Sequence, residues 1–363
     1  MKRTGFPTSA DELTPEMLTE LIRERYPGTR VESFRVIEAS RYGDGNVSTS
    51  GRMVLDLNYA EGVGLAERVI IKVARTDVDG RALYENEVAF YERLGAEVPV
   101  ELPMLLGSRY DPLTGHFGLI LEDLRVRSVR FPTVVSDVSL DDVKSLLAQL
   151  AALHGRYWQT PRFDQDLNWV QTHLKGALHA LFNDADMMPA VIQSEIDNER
   201  FKREMVQRLR SDGPSLLAGV QALQRHQATL PQTLLHGDTH IGNTYFFPDG
   251  TGGLLDWQLL VRGYFIHDIA YLLTTALSIE ARRQHERELI AYYLDRLAAS
   301  GVRAPSFDDA WLEYRRAAIW GVYVGWLTTP VANYGWEICV MNHLRLMTAY
   351  EDHGTVKLIE QIL

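Results

Sequence analysis

Leu234–Trp257 reads LLHGDTHIGNTYFFPDGTGGLLDW, and three of its residues, Asp238, Asn243 and Asp256, are of the kinds that hold a proton or a hard cation. Asn243 follows Asp238 by five positions, and Asp256 comes after a strand-like return. Transfer of a phosphoryl group asks little covalent help of a protein; it needs positioning, charge neutralisation and an acceptor hydroxyl poised for attack. A carboxylate able to take the hydroxyl proton, a neutral oxygen and an anionic oxygen meet those needs, because Mg²⁺ prefers oxygen ligands. Asp238 therefore reads as the base, and Asn243 and Asp256 as metal ligands. Alone, each would pass as a turn residue; in this order and spacing they point to chemistry.

A second reading of the same stretch is zinc. His236, Asp238 and His240 form an H-x-D-x-H array, and an alternating strand would point all three the same way. It leaves Asn243 and Asp256 without a role, so His236 reads better as a residue that orients the loop by hydrogen bonds.

The rest of the chain bounds the answer. At 363 residues it is long enough for two lobes. A single cysteine excludes an internal disulfide framework and suits a reducing compartment. The net charge of −11 disfavours a nucleic-acid or anionic-membrane partner. The N-terminus lacks an apolar segment behind its basic residues, and no run approaches a membrane span. A soluble cytoplasmic protein with a small-molecule partner is expected, its oligomeric state open.

Thr14–Tyr26 reads as a capped, lid-like accessory helix. From Val31 to Leu124 strand signals dominate: VESFRVIEAS, RMVLDLNY, RVIIKVA and FGLILEDL, with a helix over Arg81–Leu94. A mostly antiparallel sheet with one helix on it is predicted. Beyond Leu124 the spacing is helical over Asp141–Tyr157, Asn198–Arg210, Ala281–Ala299, Asp308–Leu327 and Asn342–Ile362. The fold class is thus α+β, with a small antiparallel-sheet lobe over 1–122 and a larger, mainly helical lobe over 123–363. Leu121–Arg125 is the expected hinge.

In the sheet lobe, Lys72 lies on an apolar strand and is the candidate to bind the α and β phosphates of a nucleotide. Such a lysine needs a carboxylate to fix it; Glu87 on the next helix is the first candidate and Glu85 the second. The alternative is a solvated edge-strand lysine. Gly43 and Gly45 in RYGDGNVSTSG would let backbone N–H groups approach phosphate, with Asn46 and Ser48 as added donors, although a plain hairpin turn explains the stretch as well. Asp268 reads as a helix N-cap with a hydrogen bond back to the loop, and His154 as a helix-end packing residue. Trp320, Tyr323 and Trp326 share one side of a helix, to face a pocket or, by default, to pack in a core.

HGDTHIGN followed by LLDW resembles the signature of the aminoglycoside phosphotransferase and choline kinase superfamily, in which Gly replaces the Arg of the protein-kinase loop and a D-W pair the DFG triplet. EVAFY, LEDL and LAALHGRYW also resemble its ecdysteroid-kinase-like branch. The resemblance runs from about Val31 to the end of the chain. It implies a bilobal protein-kinase-like fold and an ATP- and Mg²⁺-dependent kinase acting on a hydroxyl of a small molecule, with GTP as the alternative donor. Asp238 would be the base, Asn243 and Asp256 the Mg²⁺ ligands, Lys72 and Glu87 the phosphate-binding pair, and backbone groups of Glu122 and Leu124 the adenine contacts. Superfamily membership does not name the acceptor. Beside this stand a catalytically silent nucleotide-binding regulator of the same fold and the zinc-dependent hydrolase.

Overall fold

A computed structural model describes residues 6–40, 49–61, 64–75, 79–209, 211–328 and 331–363. It divides into two compact units. Unit 1 comprises Met1–Val98, Leu102–Arg130 and the short return Leu255–Gln258; unit 2 comprises Pro99–Glu101, Phe131–Leu254 and Leu259–Leu363.

Unit 1 is built on a sheet in the order β1-β2-β3-β5-β4. The strands are β1 (Arg30–Ser40), β2 (Ser50–Glu61), β3 (Arg68–Ala74), β4 (Leu105–Tyr110) and β5 (Phe117–Glu122), and every neighbouring pair is antiparallel. Two helices accompany it, α1 (Pro15–Arg25) and α2 (Arg81–Arg93), both expected from the sequence. Thr14 caps α1, its hydroxyl accepting the Met17 N–H at 3.2 Å, and Pro15 occupies the first turn, where no N–H is needed. The helix is no lid. Leu18, Leu21 and Ile22 are buried with Val31, Leu55, Ile71 and Ile120 in one core, each burial worth roughly 2 kcal/mol.

Side chains alternate along a strand, and β3 shows what that decides. Val69, Ile71 and Val73 enter the α1 core; Lys72, between them in register with Arg52 and Leu119, turns to the opposite face. β4 escaped the sequence reading because LLGSRY neither alternates nor avoids glycine. Gly107 is there because a Cβ would stand 3.1 Å from the Leu21 backbone of α1.

Unit 2 is helical, with α3 (Leu140–Arg156), α4 (Ala177–Asn183), α5 (Met187–Asn198), α6 (Arg200–Leu209) and α7 (Gly213–Gln227) before its short strands. These are β6 (Thr233–Leu235), β7 (Thr244–Phe246), β8 (Gly252–Leu254) and β9 (Val261–Gly263), paired as β6-β9 and β7-β8. After them come α8 (Ile266–Ala276), α9 (Ile279–Ala299), α10 (Phe307–Thr328), α11 (Val331–Tyr334), α12 (Trp336–Asp352) and α13 (Thr355–Glu360). The single helix expected over 342–362 is thus two, parted at Gly354, whose φ of 61° is left-handed.

The core of unit 2 gathers α7, α8, α10 and α12 around Leu216, Val220, Tyr271, Ile319, Tyr323 and Leu346. Trp320 and Tyr323 both pack there. Cys339 is buried in α12, where burial pushes its thiol up to about 11. Among the described residues no helix is long and apolar enough to cross a membrane.

Candidate functional site

In unit 1 the site is a charge cluster. Lys72 Nζ lies 2.7 Å from both Oε1 and Oε2 of Glu87 and 3.2 Å from Oδ1 of Asp256. Glu87, and not Glu85, is thus the partner. Burial pulls the lysine down, but Asp256 and Glu87 together outweigh it and hold it above its ordinary value. Burial pushes Glu87 up, against the lowering effect of Lys72. The two shifts conflict, since a raised lysine asks for an ionised partner and a raised glutamate for a neutral one. Contact of one ammonium with both carboxylate oxygens at 2.7 Å decides for the ion pair.

Asp256 arrives at this cluster on a strained backbone. Its φ is 61°, left-handed in a residue that has a Cβ. The next residue anchors it: Trp257 is fully buried and stacked on Phe90 of α2, with ring centroids 3.9 Å apart and planes 8° apart. The Trp257 N–H donates to Glu87, and Asn86 Nδ2 donates to the Gln258 carbonyl at 2.9 Å. The D-W pair is therefore fastened to α2 by stacking and by backbone bonds at once.

Elsewhere in unit 1, the Glu122 N–H already donates to the Met104 carbonyl at 3.0 Å, and Leu124 is buried. Gly43, Gly45, Asn46 and Ser48 lie outside the described residues.

In unit 2 the site is a loop held by its backbone. Asn243 Nδ2 donates to Asp238 twice, to the carbonyl at 2.9 Å and to Oδ2 at 3.0 Å. With the amide nitrogen so engaged, Oδ1 is the atom Asn243 can offer to a cation. Gly237 has a φ of +84°, and a Cβ on it would meet the Leu259 carbonyl at 2.0 Å, so this position admits glycine alone.

α8 supplies the loop with partners. Asp268, wholly buried, accepts the His236 N–H on Oδ2 at 2.8 Å and the Gly237 N–H on Oδ1 at 2.9 Å. Its carbonyl accepts the Thr239 hydroxyl at 2.6 Å. His267 Nε2 donates to the Gly237 carbonyl at 3.1 Å, and Thr275 Oγ1 accepts the Ile241 N–H at 3.0 Å. Behind Asp268, His154 Nε2 stands 3.2 Å from Oδ2 while its Nδ1 meets the Tyr293 hydroxyl at 2.7 Å. A carboxylate only accepts, so Nε2 carries a proton and donates it to Asp268. Burial works to raise Asp268, but the His154 hydrogen bond and the nearby imidazoles outweigh it and hold the carboxyl below its usual range.

Asp268 is accordingly not the N-cap: the cap position is Phe265, and Asp268 sits inside the first turn with its side chain turned to the loop. His154 likewise does more than pack at a helix end. The hydrogen bond from Asp268 back to the loop, expected from the sequence, is present and doubled; the support of His154 behind it was not expected, and a His in an otherwise apolar helical segment is the available signal.

The zinc reading loses its geometric basis. β6 ends at Leu235, so residues 236–240 do not alternate as a strand. His236 is buried with Nδ1 accepting the Asp238 N–H at 3.2 Å, and His240 Nδ1 accepts the Gly242 N–H at 3.1 Å. Among the described residues no group of three or more His, Cys, Asp or Glu side chains is placed to hold a metal ion.

The model of the phosphotransferase enzyme family APH matches residues 55–311, which include Lys72, Glu87, Asp238, Asn243 and Asp256. The chain belongs to this family. Membership brings with it the superfamily of aminoglycoside phosphotransferases and choline kinases and its protein-kinase-like α+β fold.

Among solved structures, the chain is similar to spectinomycin phosphotransferase in complex with ADP and spectinomycin, at 13% identity over 96% of this chain and 98% of that one, with a TM-score of 0.49. A choline/ethanolamine kinase family protein from Mesorhizobium loti is 14% identical over 96% and 98% of the two chains, with a TM-score of 0.48. An aminoglycoside phosphotransferase from Streptomyces rimosus is 18% identical over 82% and 95%, with a TM-score of 0.43. No curated protein matches the chain.

Proposed function

We propose that this phosphotransferase is an ATP- and Mg²⁺-dependent kinase that phosphorylates a hydroxyl of a small molecule. The observation that carries the reading is the sharing of one half-buried ammonium, that of Lys72, between Glu87 and Asp256, residues far apart in the sequence. A purely structural lysine needs one carboxylate; a second, set on a strained backbone beside it, suits a group that must also meet a cation.

Lys72 binds the α and β phosphates and Glu87 fixes it. The reading also assigns phosphate contacts to Gly43, Gly45, Asn46 and Ser48, and adenine contacts to backbone groups of Glu122 and Leu124; the Glu122 N–H is engaged with the Met104 carbonyl. Asp238 accepts the hydrogen bond of the acceptor hydroxyl and takes its proton late in the transfer. The Oδ1 of Asn243 and the carboxylate of Asp256 are the metal ligands, an all-oxygen set that fits a hard cation. When bound, Mg²⁺ neutralises charge on the phosphate oxygens. Within the superfamily we place the chain in the ecdysteroid-kinase-like branch, on EVAFY, LEDL and LAALHGRYW.

Screening aminoglycosides, amino alcohols, sugars and sterols for acceptor-dependent ADP release tests both activity and acceptor class. ATP binding with no ADP release across all four panels would make the chain a silent nucleotide-binding regulator. Stoichiometric zinc without nucleotide binding would end the kinase reading.

A further inference from the structure

Beside the Asp238 loop, unit 2 contains a recess walled by apolar Leu178, Phe182, Leu259 and Val261 and reaching Gly237. Its free volume is about 20 Å³, room for one water molecule or the tip of one functional group. Three more of its lining residues carry polar atoms that are buried and have no hydrogen-bond partner among the described residues: Asn183 Oδ1, Gln224 Oε1 and Trp320 Nε1. All three side chains are more than nine-tenths buried or at that limit, at 9%, 6% and 5% exposure. The orientation of Asn183 is fixed, because its Nδ2 donates to the His179 carbonyl at 3.2 Å. Leaving one such atom unsatisfied costs about 1–3 kcal/mol, so three on residues that line one small space is a costly arrangement unless something meets them.

Two of these atoms accept and one donates, the pattern that a hydroxyl or a primary amide can answer from both sides. The lining includes no Asp, Glu, Lys or Arg. Its His173 is kept neutral, since burial and the neighbouring His267 ring both disfavour the protonated form. An ammonium or a carboxylate placed there would be desolvated without a counter-charge, which is far dearer than burying a neutral group. The loop residue that reaches the recess is Gly237, not Asp238. A group seated in it is therefore not the hydroxyl held by the Asp238 carboxylate.

We propose that the recess seats a second, uncharged polar group of the acceptor, a hydroxyl or an amide, so that the substrate is a neutral molecule with at least two polar groups, one reacting and one anchored. Asn183, Gln224 and Trp320 are then its specificity residues. The proposal rests on the kinase reading for the word acceptor; the binding site itself does not.

A matched set of ring probes tests it on the full-length chain: a cyclohexanediol, cyclohexanol and an aminocyclohexanol, with binding followed by saturation-transfer NMR and turnover by ADP release. The diol is expected to bind about tenfold better than cyclohexanol, the worth of one or two neutral hydrogen bonds, and better than the amino alcohol. Trp320→Phe, which keeps the ring bulk and removes the N–H, should erase most of that advantage. Gln224→Glu, which adds a carboxylate, should turn the preference toward the aminocyclohexanol. The second variant keeps the test alive should the first fail to fold. A diol advantage that survives both substitutions, or a wild-type preference for the amino alcohol, overturns the proposal, as does diol binding no better than that of cyclohexanol, which would leave the polar atoms to ordered water. Variant-sensitive diol binding, with no ADP release from the diol or from any of the four acceptor panels, would instead sink the kinase reading and keep the recess; ADP release indifferent to the variants would do the reverse.

Discussion

In unit 1 the ammonium of Lys72 is gripped by two carboxylates, side chain against side chain, whereas in unit 2 the Asp238 loop is gripped by its backbone, through one carboxylate that no solvent reaches. The first arrangement is a balance of charges. Remove one partner and another is left buried and unpaired, yet removing a matched pair restores the balance. The second is not symmetrical in this way. Asp268 satisfies the backbone N–H groups of His236 and Gly237, which persist in every substitution but proline, so a side-chain exchange offers no compensation. On the proposed kinase reading, a group that releases and rebinds charged ligands is thus held by forces that trade, and a group that keeps its aim by forces that do not.

The largest effect is expected where the aim is used. Asp238→Ala should lower kcat by about a thousandfold or more while leaving ATP affinity nearly intact, a separation read by steady-state kinetics beside direct ATP binding. Undiminished turnover would remove Asp238 from the chemistry. Next, Asp268→Asn keeps the size of the side chain but offers one oxygen to two N–H groups. Urea unfolding should show a loss of about 3 kcal/mol, and Asp268→Leu should do no better. Recovery in the leucine variant would refute the asymmetry drawn above.

On the other side, Lys72→Met should cost about 2 kcal/mol and weaken Mg²⁺-ATP binding, while Lys72→Met combined with Glu87→Leu regains most of the stability and none of the binding. If the double variant is as unstable as the single one, the cluster is not a balance of charges. Asp256→Asn preserves a residue type that tolerates the left-handed backbone and removes only charge. A fall of about tenfold in Mg²⁺-nucleotide affinity is expected by calorimetry, and unchanged affinity would exclude Asp256 as a ligand.

The smallest effect concerns pH. Asp268 has a depressed folded-state value, so its contribution is complete above the ordinary Asp range near 4 and is lost as pH falls through the lower, folded value. Below about pH 4, wild type should therefore lose stability more steeply than Asp268→Asn. Parallel acid limbs in the two melts would contradict the depression.

How much of this could be read from the letters depended on whether a residue's role was local. Lys72, flanked by VII and VA, announces a strand with one charged side chain among apolar ones, and Glu87 lies on the next helix in the chain. Asp238, Asn243 and Asp256 declare themselves by spacing. Asp268 does so only in part: a hydrogen bond back to the loop was legible, but its two partners are backbone groups some thirty positions earlier, which no side-chain pattern records. Asn183, Gln224 and Trp320 are further still from legibility: they come from α4, α7 and α10, and only tertiary packing brings their unpartnered atoms to one recess. Trp320 was visible as an aromatic at helical spacing, and both readings of it were half right, since it packs in the core and lines the recess. β4 was hidden for a similar reason, its Gly107 chosen to fit α1 and not to suit a strand.

Cys339 carries a practical consequence. It is the only cysteine of the chain, it is buried, and its thiol is pushed up to about 11, so at neutral pH hardly any of it is the reactive thiolate. Maleimide and methanethiosulfonate reagents should pass it by in the folded protein. One surface cysteine introduced in each unit would then take spectroscopic labels cleanly, without first rebuilding the native sequence, and the distance between two such labels could be followed as nucleotide is added.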